Sequence, residues 1–240
     1  MIEALLYSRG RFHAYGASHQ AVLALSFFGA ALLVASGRLH RHSGAHRWLP
    51  RLLGLAIVVA EIVFVTYPVY LGTFGWDWGL PLQLCDLTAL VSGFGLIFEH
   101  PFALEVGFFL GLSATLLTTA TPDLEHDFPH IEFWCLFLTH ALVAMTMAYT
   151  AFGLDRRPRP GAGAKVWLAV NAYGLLAILI NLKLHSNYLY ICRKPGVSSP
   201  FDYLGSWPGY VLWLDVILAA FIAGLTLIAR IAPRLPDKHG

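Results

Sequence analysis

Charge is what this sequence has least of. Asp, Glu, Lys and Arg make up 12% of its 240 residues, about half the share in an ordinary soluble domain. A chain so poor in charge cannot coat a water-facing surface of its own, which excludes a soluble enzyme, a nucleic-acid binder and a disordered polypeptide. Cysteine is scarce as well. Cys85, Cys135 and Cys192 are too few and too scattered for a disulfide framework or a zinc motif. The net charge of +2 advertises no polyanionic partner. Met1 to Leu6 carries no basic run ahead of its apolar residues, and no small-residue cleavage site follows. The first hydrophobic span is therefore expected to insert and stay rather than be removed. No internal repeat or low-complexity tract is evident.

What is present is apolar: 57% hydrophobic residues with a mean hydropathy of +0.63. A helix crosses a hydrocarbon core of about 30 Å with roughly 20 mostly apolar residues. Seven stretches qualify, at about 20–36, 52–72, 79–98, 102–121, 131–153, 165–185 and 208–230. The first is short, and the fourth is rich in Ser and Thr. The predicted fold is all-α, a polytopic membrane helical bundle of seven transmembrane helices forming one domain over 1–240. Basic residues set its orientation. Arg38, Arg41, Arg47 and Arg51, then Arg156, Arg157, Arg159 and Lys165, then Arg230, Arg234 and Lys238 share one side of a seven-span chain. Arg9, Arg11, Lys183, Arg193 and Lys194 share the other. The positive-inside rule places the first group in the cytoplasm of a cell-membrane protein, with the N-terminus outside and the C-terminus inside.

Several features have plain structural readings. His40, His42 and His46 sit among arginines in a basic loop. Gly107 and Gly111 form a small-xxx-small pattern that suits close helix packing. Trp48, Tyr70, Trp76 and Trp207 fall at span ends, where an aromatic belt belongs. Glu105 and Glu132 lie near span ends, where snorkelling accounts for them.

The informative residues are polar ones within spans, which are costly there and functional by default. They are Glu61, Asp86, His140 and Asp215, with Gln83, Asn171, Asn181 and His185 adding neutral or switchable polarity. At a rise of about 1.5 Å per residue, Asp86 and Asp215 lie about 10 Å below the outer ends of their spans. His140 lies about 13 Å down, Glu61 about 16 Å and Asn181 about 6 Å. Five helices would then feed one polar layer in the outer half of the membrane, with Gln83 and Asp86 on one helix face. The alternative is that these groups only pair with one another as interhelical glue.

Two exterior segments would cover such a pocket. Residues 186–207 are too polar to span and too long for an idle connection; Asn187, Tyr188, Arg193 and Lys194 there would meet a phosphate or carboxylate. The stretch from Thr121 to His130 holds Asp123, His126, Asp127 and His130 without a recognised ligand spacing, so no metal or other cofactor is predicted.

At these segments the chain resembles the YwaF-like family of bacterial integral membrane proteins. The matching runs are Leu80 to Leu87, Thr121-Pro122-Asp123, Phe128-Pro129-His130, His140, Asn187 to Pro195 and Asp202 to Pro208, covering about residues 78–215. That family is distantly similar to the eukaryotic transmembrane protein 164 acyltransferases, which load acyl chains onto lysophospholipids. The resemblance implies membrane lipids as partners, with a phospholipid or lysophospholipid as substrate. In those enzymes span three carries a Pro-Cys-His run whose cysteine is the proposed acyl acceptor. Here the run reads Pro81-Leu82-Gln83, and Cys85 follows one turn deeper.

Acyl transfer needs a base of near-neutral pKa and donors for an oxyanion. His140 is the candidate base, Asp86 or Asp215 its orienting acid, and Cys85 the nucleophile unless His140 activates a lipid hydroxyl directly. Gln83, Asn181 and Asn187 are candidate oxyanion donors, with Glu61 also in the pocket. Two other functions fit the same residues: a proton- or cation-coupled transporter using paired carboxylates, and a seven-helix sensor or binding module without catalysis.

Overall fold

The computed structural model of the protein describes residues 10–40, 43–195 and 200–234. Arg9, Arg41, His42, Lys238, the opening Met1 to Leu6 and residues 196–199 of the expected cover lie outside the described residues. Six helical stretches are long and apolar enough to cross a membrane. They are α1 (Ala17–His40), α2 (Gly44–Tyr70), the composite Pro101–Ala120, the composite Ile131–Gly153, α7 (Ala162–Leu184) and α8 (Gly209–Ile231). The first composite joins α4 (Pro101–Leu110) to α5 (Leu116–Ala120) through a π-helical turn, Gly111–Thr115. The second is α6 (Ile131–Ala148) with a π-helical end, Tyr149–Gly153. No strand occurs among the described residues, although Arg11 bridges to His126 and draws residues 10–12 onto the loop before α6.

The seventh expected span is altered. Over 79–98 only α3 (Leu84–Phe98), 15 residues, is helical, a length of about 22 Å. Pro81 disfavours helical geometry in the residue before it, and the backbone from Gly79 to Gln83 stays irregular. Its polar groups are held by protein, the condition under which irregular backbone is tolerated at membrane depth. The Tyr173 hydroxyl donates to the Leu82 carbonyl (2.6 Å), and Leu80 N–H donates to the Tyr188 hydroxyl (3.2 Å). Asp86 accepts from Gln83 N–H at 3.0 Å, as the acid of a capping box does. The depth of Asp86 counted along a continuous helix from Gly79 is thereby corrected: Asp86 sits in the first turn of α3, not two turns down it.

The Ser and Thr of the fourth span leave no cost in lipid, because they bond their own helix. Ser113 donates to the Phe109 carbonyl, Thr115 to Gly111, Thr118 to Ala114 and Thr119 to Thr115. The α4–α5 and α6 stretches form the centre, with Phe108, Phe109, Val143, Met147 and Tyr149 fully buried. Small residues let helices approach closely. A Cβ on Gly107 would stand 2.6 Å from Ser92 Oγ on α3 and 2.7 Å from Met147 Sδ on α6, and one on Gly111 2.8 Å from Val143. The expected packing role of that pair holds. Outward, α1, α7 and α8 expose Phe27, Phe28, Leu32, Leu175, Leu179, Leu212 and Leu227, a surface suited to lipid rather than water.

Ion pairs gather the basic loops at one end of the bundle. Arg51 and Arg156 reach Glu99 at the end of α3 (3.4 and 3.5 Å). Arg38 donates to the Phe152 carbonyl, and Arg157 to the carbonyls of Ala229 and Ala232 at the end of α8. His46 is buried against Tyr149, its Nδ1 2.6 Å from the hydroxyl. Glu105 is not a snorkelling residue: it is 4% exposed and accepts both Nε and Nη2 of Arg159, at 2.6 and 2.9 Å.

Candidate functional site

The end opposite the arginines is closed by the loop after α7. Helix α7 stops at His185, which takes a left-handed conformation (φ 53°). Asn181, one turn earlier and 2% exposed, then fixes the returning chain. Its Oδ1 accepts from Ser186 Oγ (2.7 Å) and Tyr188 N–H (2.8 Å), and its Nδ2 donates to the Tyr188 carbonyl (3.0 Å). Its Oδ1 and one N–H of Nδ2 are engaged in this clamp. Asn187 is likewise occupied, donating to the Arg193 carbonyl and accepting from the N–H groups of Cys192 and Arg193.

This loop is stitched to the irregular start of span three. Tyr188, fully buried, donates its hydroxyl proton to the Trp76 carbonyl (2.9 Å) and accepts from Leu80. Gln83 Oε1 accepts from Leu189 N–H at 2.9 Å, so Gln83 ties the cover to α3. Leu189 and Tyr190 both hold positive φ angles, 60° and 51°, a strained backbone that only a well-fixed surrounding maintains. The Tyr190 hydroxyl points to Asp123 (3.4 Å). Burial raises the Asp123 carboxyl above its ordinary range, partly countered by this hydroxyl, while burial and the adjacent acid push Tyr190 up to about 12. Lys194 lies over the Tyr210 ring and donates to the Asp202 carbonyl; Arg193 is exposed at the rim. The described parts of 186–207 thus form a hydrogen-bonded cover.

Beneath the cover the expected polar layer divides in two. Glu61 (2% exposed) on α2 and Asp86 (7%) on α3 are both buried, with Cys85 next to Asp86 in the first turn of α3. One oxygen of Glu61, Oε1, has no hydrogen-bond partner. Cys85 Sγ lies 3.5 Å from Thr118 Oγ1. Asp215 goes elsewhere: it accepts from Trp167 Nε1 (2.8 Å) and Asn171 Nδ2 (3.0 Å) along the α7–α8 seam.

His140, buried on α6, places Nδ1 2.7 Å from the Leu136 carbonyl and 3.0 Å from Thr139 Oγ1. A carbonyl can only accept, so Nδ1 carries the proton and Nε2 presents a lone pair. No hydrogen bond or ion pair joins His140 to Glu61, Asp86 or Asp215 among the described residues.

The sequence reading missed the His19 site and, although it singled out His126 and His130, it missed their partner Glu132. His19 is fully buried, its Nδ1 accepting from Tyr15 N–H and its Nε2 2.8 Å from the Thr119 carbonyl; an interhelical strut of this kind has no local sequence signal. Glu132, assigned to snorkelling, instead bonds His126 Nδ1 at 2.8 Å, and the rings of His126 and His130 stack at 4.2 Å. Ligand atoms of His126, His130 and Glu132 lie within 4.8 Å of one another. The Nδ1 of His130 accepts from Glu132 N–H.

A model of the TMEM164 family matches residues 14–226, from just ahead of α1 to the last turns of α8. The chain belongs to the TMEM164 family. No protein of curated function and no solved structure matches it. The match spans the cover, anchored by Asn181 and Tyr188, and the helices that carry Glu61, Asp86, Cys85 and His140. This TMEM164-family chain is a multi-pass membrane protein, with several apolar helices in contact with lipid.

Proposed function

We propose that this TMEM164-family chain moves acyl groups to or from lysophospholipids, as a YwaF-like bacterial member of the family. The observation that carries this reading is His140: a buried imidazole whose Nδ1 proton is committed to the Leu136 carbonyl, which leaves Nε2 free to accept a proton. In the direct route, Nε2 takes the hydroxyl proton of a lysophospholipid as that oxygen attacks the carbonyl of an acyl ester. The tetrahedral intermediate collapses, and His140 returns the proton to the departing alkoxide. In the covalent route Cys85 is the first acceptor: His140 takes its thiol proton as the sulfur attacks the donor ester and returns it to the departing donor oxygen as the thioester forms. His140 then takes the acceptor's hydroxyl proton as that oxygen attacks the thioester, and returns it to the displaced thiolate. Gln83, Arg193 and Lys194 sit at the cover and would meet the head group, while Asp86 and Asp215 hold α3 and the α7–α8 seam in place.

In this reading the chain forms a single domain that crosses the membrane seven times. Helix α3 supports the seventh crossing, because the run it belongs to meets Tyr188 at Leu80 and the arginine cluster at Glu99. The arginine end is cytoplasmic by the positive-inside rule, and the cover faces out.

The test uses the protein in vesicles with a lysophospholipid acceptor and an acyl-labelled phospholipid donor. Label should move to the acceptor, His140→Ala should abolish transfer, and Cys85→Ser should abolish it only in the covalent route. Unchanged transfer by His140→Ala would refute the assignment. A second reading, proton-coupled transport, is favoured by the buried, unpartnered Glu61 oxygen. Under it, Glu61→Gln would stop proton uptake into vesicles, and His140→Ala would not.

A further inference from the structure

A cleft lies at the other end of the molecule, among the arginines. Its volume is about 520 Å³, within the span of about 300–1,000 Å³ usual for small-molecule sites. The loop before α7 and the last turns of α8 form it, and its chemistry changes along its length. At the mouth stand Arg157, Arg159, Arg230 and Arg234. Trp167, Ile222, Ala223 and Leu227 line the rest, and no acidic residue lines any part of it.

The four arginines are not equivalent. Arg157 is consumed by the fold, donating to the carbonyls of Ala229, Ala232 and Pro233 at 2.7–2.8 Å and pairing with Asp155. Arg159 is engaged by Glu105 through Nε, Nη2 and its backbone N–H. Arg230 and Arg234 are exposed, and neither has an ion pair or hydrogen bond among the described residues. Two uncommitted guanidinium groups therefore flank a mouth already lined by two others. The apolar wall runs from them along α8, whose Leu227 is 57% exposed on the membrane-facing side.

From this arrangement we infer that the cleft binds an anionic phospholipid, its head-group phosphate against Arg230 and Arg234 and one acyl chain along Ala223 and Leu227. An apolar groove alone would accept any chain, and exposed arginines alone any anion. Only a lipid presents both in this order, charge at the membrane surface and hydrocarbon below it. Basic pockets between membrane helices bind acidic head groups on the same grounds, and guanidinium groups suit phosphate through paired donors. The absence of an acid among the lining residues selects the net charge of the lipid, since a choline ammonium would find no partner. This site is distinct from the proposed acyl-transfer site and stands whether or not that reading holds.

The test places the full-length protein in nanodiscs of phosphatidylcholine with one-tenth phosphatidylglycerol, followed by native mass spectrometry of the lipid retained. Phosphatidylglycerol should be enriched about fivefold or more over its share, and Arg230→Gln with Arg234→Gln should return it to the bulk ratio. Ala223→Trp, at an exposed position, should displace the lipid while the arginines remain. Circular dichroism melting of each variant should match the parent, which separates lost binding from lost fold. The inference is overturned by equal retention of phosphatidylcholine, by undiminished phosphatidylglycerol in the double variant or in Ala223→Trp, or by displacement with soluble glycerol 3-phosphate.

Discussion

Asn181 shows what a single polar side chain does in this protein. It is buried and satisfies three groups of the cover at once. Replacing it by Ala leaves Tyr188 N–H and the Ser186 hydroxyl without partners, at a cost of about 2–4 kcal/mol. Asn181→Ala should therefore lower the melting temperature in detergent and speed amide exchange over 186–190, with exchange in α2 unchanged. Asp123 supplies a pH-dependent counterpart. Its carboxyl titrates above the ordinary 3.8 because it is partly buried, so the folded chain holds this proton more tightly than the unfolded one. Stability from this group is then greatest below about pH 4 and is lost as pH rises through the folded value. Asp123→Asn should flatten that decline in a melting series from pH 4 to 7. Hydropathy made the buried polar residues legible, because any such group inside an apolar run stands out. It could not assign their partners. Asn181 and Asn187 bind their own backbone within a few residues, while Asp215 finds a tryptophan 48 positions away.

Helices were legible where composition alone decides, and least so where backbone geometry intervenes. Six spans need only length and apolarity. Span three is shortened because Pro81 and the Gln83–Asp86 cap start the helix late, and the cap is visible in the sequence only once a helix start is suspected there. Contacts between helices are a further layer. The Gly107 and Gly111 pattern lies within one helix and could be read directly, whereas Gly54 and Gly93 lie on different helices and meet only in space. A Cβ on Gly93 would stand 2.9 Å from the Gly54 carbonyl, while one on Gly224 would meet nothing within 4 Å. The same substitution should therefore act differently at the two positions. Gly93→Ala forces α2 and α3 apart and costs about 1–3 kcal/mol. Gly224→Ala removes backbone freedom at an open site and is neutral or stabilising by up to about 1 kcal/mol. Parallel thermal melts in one detergent decide the comparison.

At the scale of the whole molecule the two ends are chemically opposite, and the three cysteines make that difference measurable. The arginine end joins the α1–α2 connection, the end of α3, the loop before α7 and the end of α8 through ion pairs and carbonyl contacts. The other end carries Asp77, Asp123, residues 10–12 and the cover with Cys192. Cys192 is exposed, Cys135 buried and Cys85 only half-buried beside Thr118. If the arginine end is held in the cytoplasm by its charge, a membrane-impermeant maleimide added to intact cells should label Cys192 and leave the other two unmodified. In a Cys192→Ser background, Arg234→Cys should react only after the membrane is opened. The pair of measurements also counts crossings, because Cys192 and Arg234 are separated by α8 alone and must respond from opposite sides. Labelling of both from outside would remove α8 as a span. Labelling of Arg234→Cys from outside with Cys192 protected would invert the molecule and place the cover, with His140 beneath it, on the cytoplasmic side.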